Sequence, residues 1–172
     1  EPFILSIMLV RKTLQARLKE ARIILGILSS ALRCFSAPVA LEWNFSCPNA
    51  GYNPEEELED EILQVLKIMS DVGIPVFIKV NNLVKTETLL KVQKFGLCQG
   101  ISISNAIPFG DLPEEIDWIG LFGAVDKYLS PLAEFGGGAL SGGPLGEPTC
   151  RKIRELREAG VWLPIKGGGG FG

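Results

Sequence analysis

Residues 37–49 read APVALEWNFSCPN, an apolar run that leads into a cysteine framed by two asparagines. The apolar part is typical of a buried strand, and the polar part, Asn44 to Asn49, falls where that strand runs out. In α/β barrels the catalytic residues lie at the carboxyl ends of the strands. Cys47 is an ionisable nucleophile or base, and each asparagine amide both donates and accepts hydrogen bonds. The segment therefore predicts proton abstraction from a substrate held by amides.

Outward from this segment, strand-like apolar runs alternate with stretches of helical periodicity, which is the pattern of β-α-β units. The predicted strands are 3–9, 38–43, 75–80, 100–104 and 162–165. The predicted helices are 13–34, 53–72, 85–95 and 147–160. We therefore expect one α/β domain over residues 1–172, a partial (β/α)8 TIM barrel of about five β/α units that is incomplete at both ends.

Composition narrows the classes of function. The 172 residues carry a net charge of only -3, with the two signs mixed, so no basic face predicts binding to nucleic acid or anionic lipid. No uncharged apolar run reaches the ~18 residues that a membrane helix needs. The chain has no histidine, and its four cysteines lack CxxC spacing, so we predict no metal site and the reduced thiols of a cytoplasmic protein. A small-molecule ligand is the remaining expectation.

Two further strand ends carry polar residues. Lys79 lies in the apolar run PVFIKV, residues 75–80, where a charge is costly without a partner. Pointed into a barrel mouth, it could stabilise negative charge on a bound ring; pointed outward, it is only a snorkelling surface lysine. Asn105 follows the strand predicted at 100–104. It is either a third amide of the same pocket or a turn former.

Glycines form two clusters, GGGALSGG at 136–143 and GGGGFG at 167–172. Glycine lets a backbone approach a ligand closely, and the loops after the last strands are the usual phosphate site of these barrels. The first cluster could instead be a flexible lid, and the second the ordinary exit of a strand. Residues 105–145 lack clear periodicity and predict a long loop excursion, with short strands or a helical turn near 129–135 left open.

Taken together, these motifs resemble the dihydroorotate dehydrogenases, a family of FMN-dependent (β/α)8 barrels. The matching motifs occur in the family's order and approximate spacing, and they are NFSCPN at 44–49, the lysine of PVFIKV, SISNAIPFG at 102–110, GGALSGGPL at 137–145 and LPIKGGGG at 163–170. The resemblance covers essentially the whole chain. The family's first strands and its final unit have no counterpart here, which is why we expect an internal fragment.

The resemblance implies FMN-dependent oxidation of dihydroorotate to orotate, a step of pyrimidine and UMP biosynthesis. Cys47 would remove the C5 proton while hydride passes from C6 to flavin N5, and a cysteine at this position is similar to the soluble class 1 enzymes. Asn44, Asn49 and Asn105 would bind the pyrimidine and its carboxylate. Lys79 would face the N1 and C2 carbonyl edge of the flavin. The implied cofactor-binding residues are Lys79, Ser104, Gly142, Gly143, Gly168 and Gly169.

Other functions stay open from the sequence. The chain could be a non-catalytic flavin- or phosphate-binding barrel, a related dihydropyrimidine oxidoreductase, or a flavin-free isomerase or aldolase in which Lys79 forms a Schiff base. The electron acceptor is undetermined, and both a homodimer and an electron-transfer partner subunit remain open. Lys166 stands in the last strand segment, where we expect a small apolar residue. The loop 108–128 differs from better-known family members and is expected to reshape a lid or a partner surface.

Overall fold

The structure, a computed structural model, describes residues 1–45, 55–103 and 105–169. Within these residues, five strands form the main sheet: β1 (Phe3–Met8), β2 (Val39–Asn44), β3 (Val76–Lys79), β4 (Gly100–Ile103) and β7 (Ile165–Gly167). The helices that join them are α1 (Leu14–Ala31), α2 (Glu55–Met69), α3 (Thr86–Phe95) and α5 (Gly146–Glu158). Between β4 and α5 lie the short strands β5 (Ile107–Pro108) and β6 (Ala139–Leu140) and the helix α4 (Trp118–Phe122).

The main sheet is parallel, and its strands stand side by side in chain order, β1-β2-β3-β4-β7. Each crossover from one strand to its neighbour contains one of the four joining helices. Parallel neighbours need such crossovers because a tight turn reverses the direction of the chain and can therefore join only antiparallel strands. The predicted alternation of strands and helices in an α/β fold is therefore confirmed.

Local signals set the ends of the helices. The hydroxyl of Thr13 accepts a hydrogen bond from the Ala16 amide at 3.3 Å and caps the start of α1. A 3-10 turn extends α2 to Val72, and Gly73 then adopts a left-handed φ of 76°, which a glycine reaches without steric cost. Among the described residues, no helix combines the length and the apolar character needed to cross a membrane.

One face of the sheet is packed against the helices. Alternate strand residues on this face join side chains of α1, α2, α3 and α5 in one buried core. Its most deeply buried members include Leu18, Ala21, Leu41, Trp43, Ile62, Leu66, Ile78, Val80, Leu89, Val92, Ile101, Ile103 and Leu156. The residues that alternate with them along the strands therefore project from the opposite face, which we call the open face.

The last strand does not lie where the sequence predicts it. The apolar run suggests 162–165, but the strand is Ile165–Gly167, and the indole of Trp162 is 70% exposed. The amides of Trp162 and Leu163 donate to the side-chain oxygen of Gln93, at 2.6 and 3.3 Å, so neither amide is available to a ladder. The shift brings Lys166 into the sheet, opposite Ser102.

Residues 105–145 contain more regular structure than the sequence indicates. Phe109 and Trp118 pack with ring centroids 4.7 Å apart, and Phe122 lies 5.4 Å from Phe109. Phe109 and Trp118, with Ile107 and other apolar side chains, form a second, smaller core. The 3-10 turns at Lys127–Leu129 and Ala133–Phe135 lie in or beside the segment 129–135 for which the sequence allows a helical turn. This part of the chain is a small packed lobe.

A buried ion pair fastens α1 to α2. The guanidinium of Arg17, which is 4% exposed, donates to both carboxylate oxygens of Glu61 at 2.8 Å. It also donates to the carbonyls of Arg11 and Lys12, at 3.2 and 3.1 Å. Such a two-pronged pair fixes the relative position of the two helices and the loop before α1.

We predict that Arg17→Met destabilises the protein by about 3–5 kcal/mol, because it leaves the Glu61 carboxylate buried without its counter-charge. Urea unfolding followed by circular dichroism measures this loss. Arg154→Met, at an exposed position of α5, is the matched control and is expected to change stability by no more than about 0.5 kcal/mol. Equal stabilities of the two variants would contradict the importance of the pair.

Candidate functional site

The open face of the sheet carries two rows of side chains that the strand register brings side by side. The lower row consists of Ser6, Glu42, Phe77 and Gly100. The upper row, one step nearer the carboxyl ends of the strands, consists of Met8, Asn44, Lys79, Ser102 and Lys166. Most of these side chains are polar, in contrast to the apolar face beneath the helices. The rows therefore mark the face on which a polar ligand can be recognised.

Glu42 is the centre of a hydrogen-bond network on this face. Glu42 is only 3% exposed. One of its carboxylate oxygens accepts a hydrogen bond from the hydroxyl of Ser6 at 2.9 Å. The other oxygen accepts from the hydroxyl of Ser102 and from the ammonium of Lys166, the latter at 2.8 Å. Lys166, which the sequence left without an explanation, is thus the counter-charge of a buried carboxylate.

The network sets the charge state of Glu42. Burial raises the pKa of the carboxyl, but the hydrogen bonds from Lys166, Ser102 and Ser6 favour the ionised form more strongly. The net result is a pKa below the ordinary value of 4.5. Glu42 is therefore a carboxylate near neutral pH.

Contacts between distant strands show that the open face is concave. Glu42 on β2 and Lys166 on β7 are separated by three strand-to-strand steps, which amount to about 14 Å in a flat sheet. Their charged atoms nevertheless meet at 2.8 Å. Ser102, whose side chain is short, also reaches this carboxylate from two strands away, so the sheet curves toward that face to bring these groups together. The curvature places the two rows inside a hollow.

Two of the predicted site residues meet at the carboxyl ends of the strands. The amide nitrogen of the Asn105 side chain donates to the Asn44 side-chain oxygen at 2.5 Å. The Asn105 backbone amide donates to the carbonyl of Val80 at 3.1 Å, which ties the residue to the end of β3. Asn44 is opposite Lys79 in the register. The structure thus brings together Asn44, Lys79 and Asn105, whereas Cys47, Asn49 and Ser104 lie outside the described residues.

Lys79 lies on the open face. Its neighbours Ile78 and Val80 are fully buried beneath the helices, and Lys79 alternates with them. The side chain is half-buried. Within the part of the chain that the structure describes, its ammonium forms no hydrogen bond or ion pair. A partly buried cation in this condition can bind an anionic or electron-rich ligand atom.

The two glycine clusters come together beside the first turn of α5. Gly169 has a φ of 91°, and a Cβ added there would lie 2.9 Å from the Leu145 Cβ and 3.7 Å from the Gly142 carbonyl oxygen. The amide of Gly168 donates to the carbonyl of Ile103 at 2.5 Å, which anchors the second cluster to β4. Gly142 and Gly143 begin the 3-10 turn Gly143–Leu145 that leads into the helix. Close-packed glycines at a helix N-terminus can bind a phosphate through backbone amides.

The same region contains a buried hydroxyl that has no hydrogen-bond partner among the described residues. The Thr149 side-chain oxygen lies 3.6 Å from the position that a Cβ of Gly169 would take. The residue is fully buried, and among the described residues its hydroxyl makes no hydrogen bond. Buried polar groups are nearly always satisfied, so an unsatisfied one beside the glycines indicates a place for a polar ligand atom.

Sequence reasoning missed Glu42, Ser102 and Lys166 as members of one site. Glu42 and Ser102 interrupt apolar strands at alternate positions, and that period of two was the available signal for a shared face. Lys166 gave no such signal, because the sequence placed the last strand three residues too early. Asn82, which follows β3 and is buried, also has a side chain without a hydrogen-bond partner among the described residues.

Comparison with known proteins adds no assignment. No protein-family model matches the chain, and no curated protein is significantly similar to it. Within the described ranges, acidic and cysteine side chains form no group of three that could hold a metal ion. The function must therefore be argued from the residues of the open face and the glycine clusters.

The glycine packing predicts a steric effect. Gly169→Ala would force a Cβ against Leu145 at 2.9 Å and strain a positive φ, so we expect destabilisation by about 1–3 kcal/mol. Thermal unfolding measures it. Gly143→Ala is the matched control, because nothing lies within 4 Å of its added Cβ and its φ is not positive. Equal effects at the two glycines would show that Gly169 is not closely packed.

The lowered pKa of Glu42 predicts a pH dependence of stability. A depressed folded-state pKa means that the ionised carboxyl stabilises the fold fully above the ordinary value of 4.5, and that this contribution is lost as pH falls through the lower folded value. Glu42→Gln should therefore cost about 1–3 kcal/mol at pH 7 and progressively less below pH 4.5. Unfolding curves over this range test it, with exposed Glu158→Gln as control. A stability difference between the parent and Glu42→Gln that stays constant with pH would contradict the ionised state of Glu42.

Proposed function

We propose that this protein is an FMN-dependent oxidoreductase of the cytoplasm that oxidises dihydroorotate to orotate, and that its sheet belongs to a (β/α)8 barrel. The observation that carries the proposal is the position of the Lys79 ammonium. It lies without a partner among the described residues, on a concave polar face, beside the amide pair of Asn44 and Asn105. The resemblance of the motifs to the dihydroorotate dehydrogenases supplies the substrate.

The sheet supports the barrel part of the proposal. In an open doubly wound sheet the strand order reverses at a switch point, and helices cover both faces. Here the strands follow chain order, the helices of one core cover a single face, and the other face is concave. A parallel sheet that curls in this way, with its helices outside, is the arrangement that closes into a barrel.

The residues present fit FMN. Glycines 142, 143, 168 and 169 and the Thr149 hydroxyl, which has no hydrogen-bond partner among the described residues, offer a cradle suited to the phosphate. Lys79 would meet the electron-rich edge of the flavin ring from the concave face. When bound, FMN supplies the acceptor for a hydride from the substrate.

The chain's own residues would perform the remaining tasks. Asn44 and Asn105 are hydrogen-bonded to each other at 2.5 Å and would bind a pyrimidine and its carboxylate. Lys79 stabilises the negative charge that develops as the hydride is delivered. Cys47, three residues after Asn44, takes the C5 proton onto its thiolate sulfur as the C5–H bond breaks, while the C6 hydride leaves with its electron pair. A thiol with an ordinary pKa of about 8.5 suits this task once its surroundings favour the thiolate.

The proposal predicts that Cys47→Ala, in protein expressed from the complete reading frame and loaded with FMN, retains the flavin. Its reduction by dihydroorotate under anaerobic conditions should be slower by about 10²- to 10⁴-fold, the usual contribution of a positioned base. Stopped-flow absorbance of the flavin gives the rate.

Cys34→Ala is the control for this experiment, since Cys34 is exposed and lies in the 3-10 turn after α1, outside the motif. It should reduce at the parent rate. An unchanged rate in Cys47→Ala would remove this cysteine from the mechanism. A parent protein that binds FMN but is not bleached by dihydroorotate would contradict the assigned substrate.

A further inference from the structure

Three charged side chains of the open face, Glu42, Lys79 and Lys166, could combine in two ways. Glu42 is opposite Phe77 in the register, so Lys79, two residues further along β3, is its diagonal neighbour. Diagonal positions on adjacent strands are within reach of long side chains. A buried carboxylate and a partly buried ammonium at such positions would ordinarily pair, because each relieves the cost of burying the other.

The structure has the other combination. Both oxygens of Glu42 are engaged, one by Ser6 and one by Ser102 and Lys166, and the Lys166 ammonium lies at 2.8 Å. Lys79 has no partner among the described residues, although it is on the nearer strand. Lys166 reaches the same carboxylate from β7, with half of its side chain exposed. Lys166, the more distant lysine, thus pairs with the carboxylate, and Lys79, the nearer one, does not.

We propose that Lys166 is a positioning residue that occupies Glu42 and thereby keeps the Lys79 ammonium available to a ligand on the concave face. The pairing as such concerns the protein alone, whereas the identification of the ligand as FMN rests on the proposed function. With Glu42 neutralised by Lys166, Lys79 contributes one net positive charge to the hollow. Without Lys166, Glu42 would neutralise Lys79 instead, and the charge offered to an anionic or electron-rich ligand would be lost.

The pairing can be tested without any ligand. Protein with ¹³C-labelled lysine side chains is titrated by NMR, and the Lys79 signal is assigned from its loss in Lys79→Arg. In Lys166→Met, Lys79 gains Glu42 as a partner, so its pKa should rise by about 1 unit relative to the parent. Lys152→Met, which removes a lysine paired with Glu155 on α5, is the control and should leave the Lys79 pKa unchanged.

Lys166→Met with Glu42→Gln covers the case in which Lys166→Met does not fold. The double variant removes both charges of the pair and leaves no uncompensated charge beside Lys79, so the Lys79 pKa should stay within about 0.3 units of the parent, well below the shift that a close opposite charge produces. A fall in the double variant would mean that Glu42 already binds Lys79, and no rise in a folded Lys166→Met would mean that Lys166 does not control the pairing. Either result overturns the proposal.

A double-mutant cycle on FMN affinity tests the consequence for the ligand. If Lys166 acts through Lys79, then Lys79→Met and Lys166→Met should each weaken FMN binding by about tenfold, and together by no more than either alone. Additive losses would show that Lys166 acts independently, and would overturn the positioning role. Failure of the parent to bind FMN would contradict the proposed function, while the NMR titration would still decide the pairing.

Discussion

The carboxylate of Glu42 is buried on the face of the sheet that the helices leave uncovered, and the arrangement of that face follows from the need to satisfy it. An ionised group at 3% exposure is tolerated only with hydrogen bonds and a counter-charge. Ser6, Ser102 and Lys166 provide them from β1, β4 and β7, so a single side chain of β2 connects most of the sheet. These contacts require the curvature that makes the open face a hollow.

The two faces of the sheet have separate tasks. The helix-covered face buries Leu41, Trp43, Ile78 and Ile101 and supplies the stability of the fold. Burying polar side chains on the open face costs part of that stability. The open face presents these side chains at the carboxyl ends of the strands, where parallel α/β sheets bind their ligands. The glycines before α5 and after β7 lie at the same ends. A ligand that carries both a phosphate and a ring could contact the glycines and the open face at the same time.

Features with local causes could be predicted from the sequence. The helix predicted at 13–34 is α1 with a following 3-10 turn, because apolar periodicity and the Thr13 cap act within a few residues. Features set by distant residues could not. The last strand was misplaced because the Gln93 side chain, 69 residues away in sequence from Trp162, captures the amides of the apolar run. The pairing of Glu42 with Lys166 spans 124 residues, and no pattern within one strand indicates it. The role of Cys47 stays a prediction, because the residue lies outside the described ranges.

The central claim is that a ligand binds on the open face against Lys79. Acylation of lysines in the folded protein, quantified by mass spectrometry with and without saturating FMN, tests it most directly. Lys79 should be acylated several-fold more slowly in the presence of FMN, while Lys91, an exposed lysine of α3, should react at the same rate in both samples. Equal acylation of Lys79 in the two samples, with FMN shown to be bound, would place the flavin elsewhere and contradict the account.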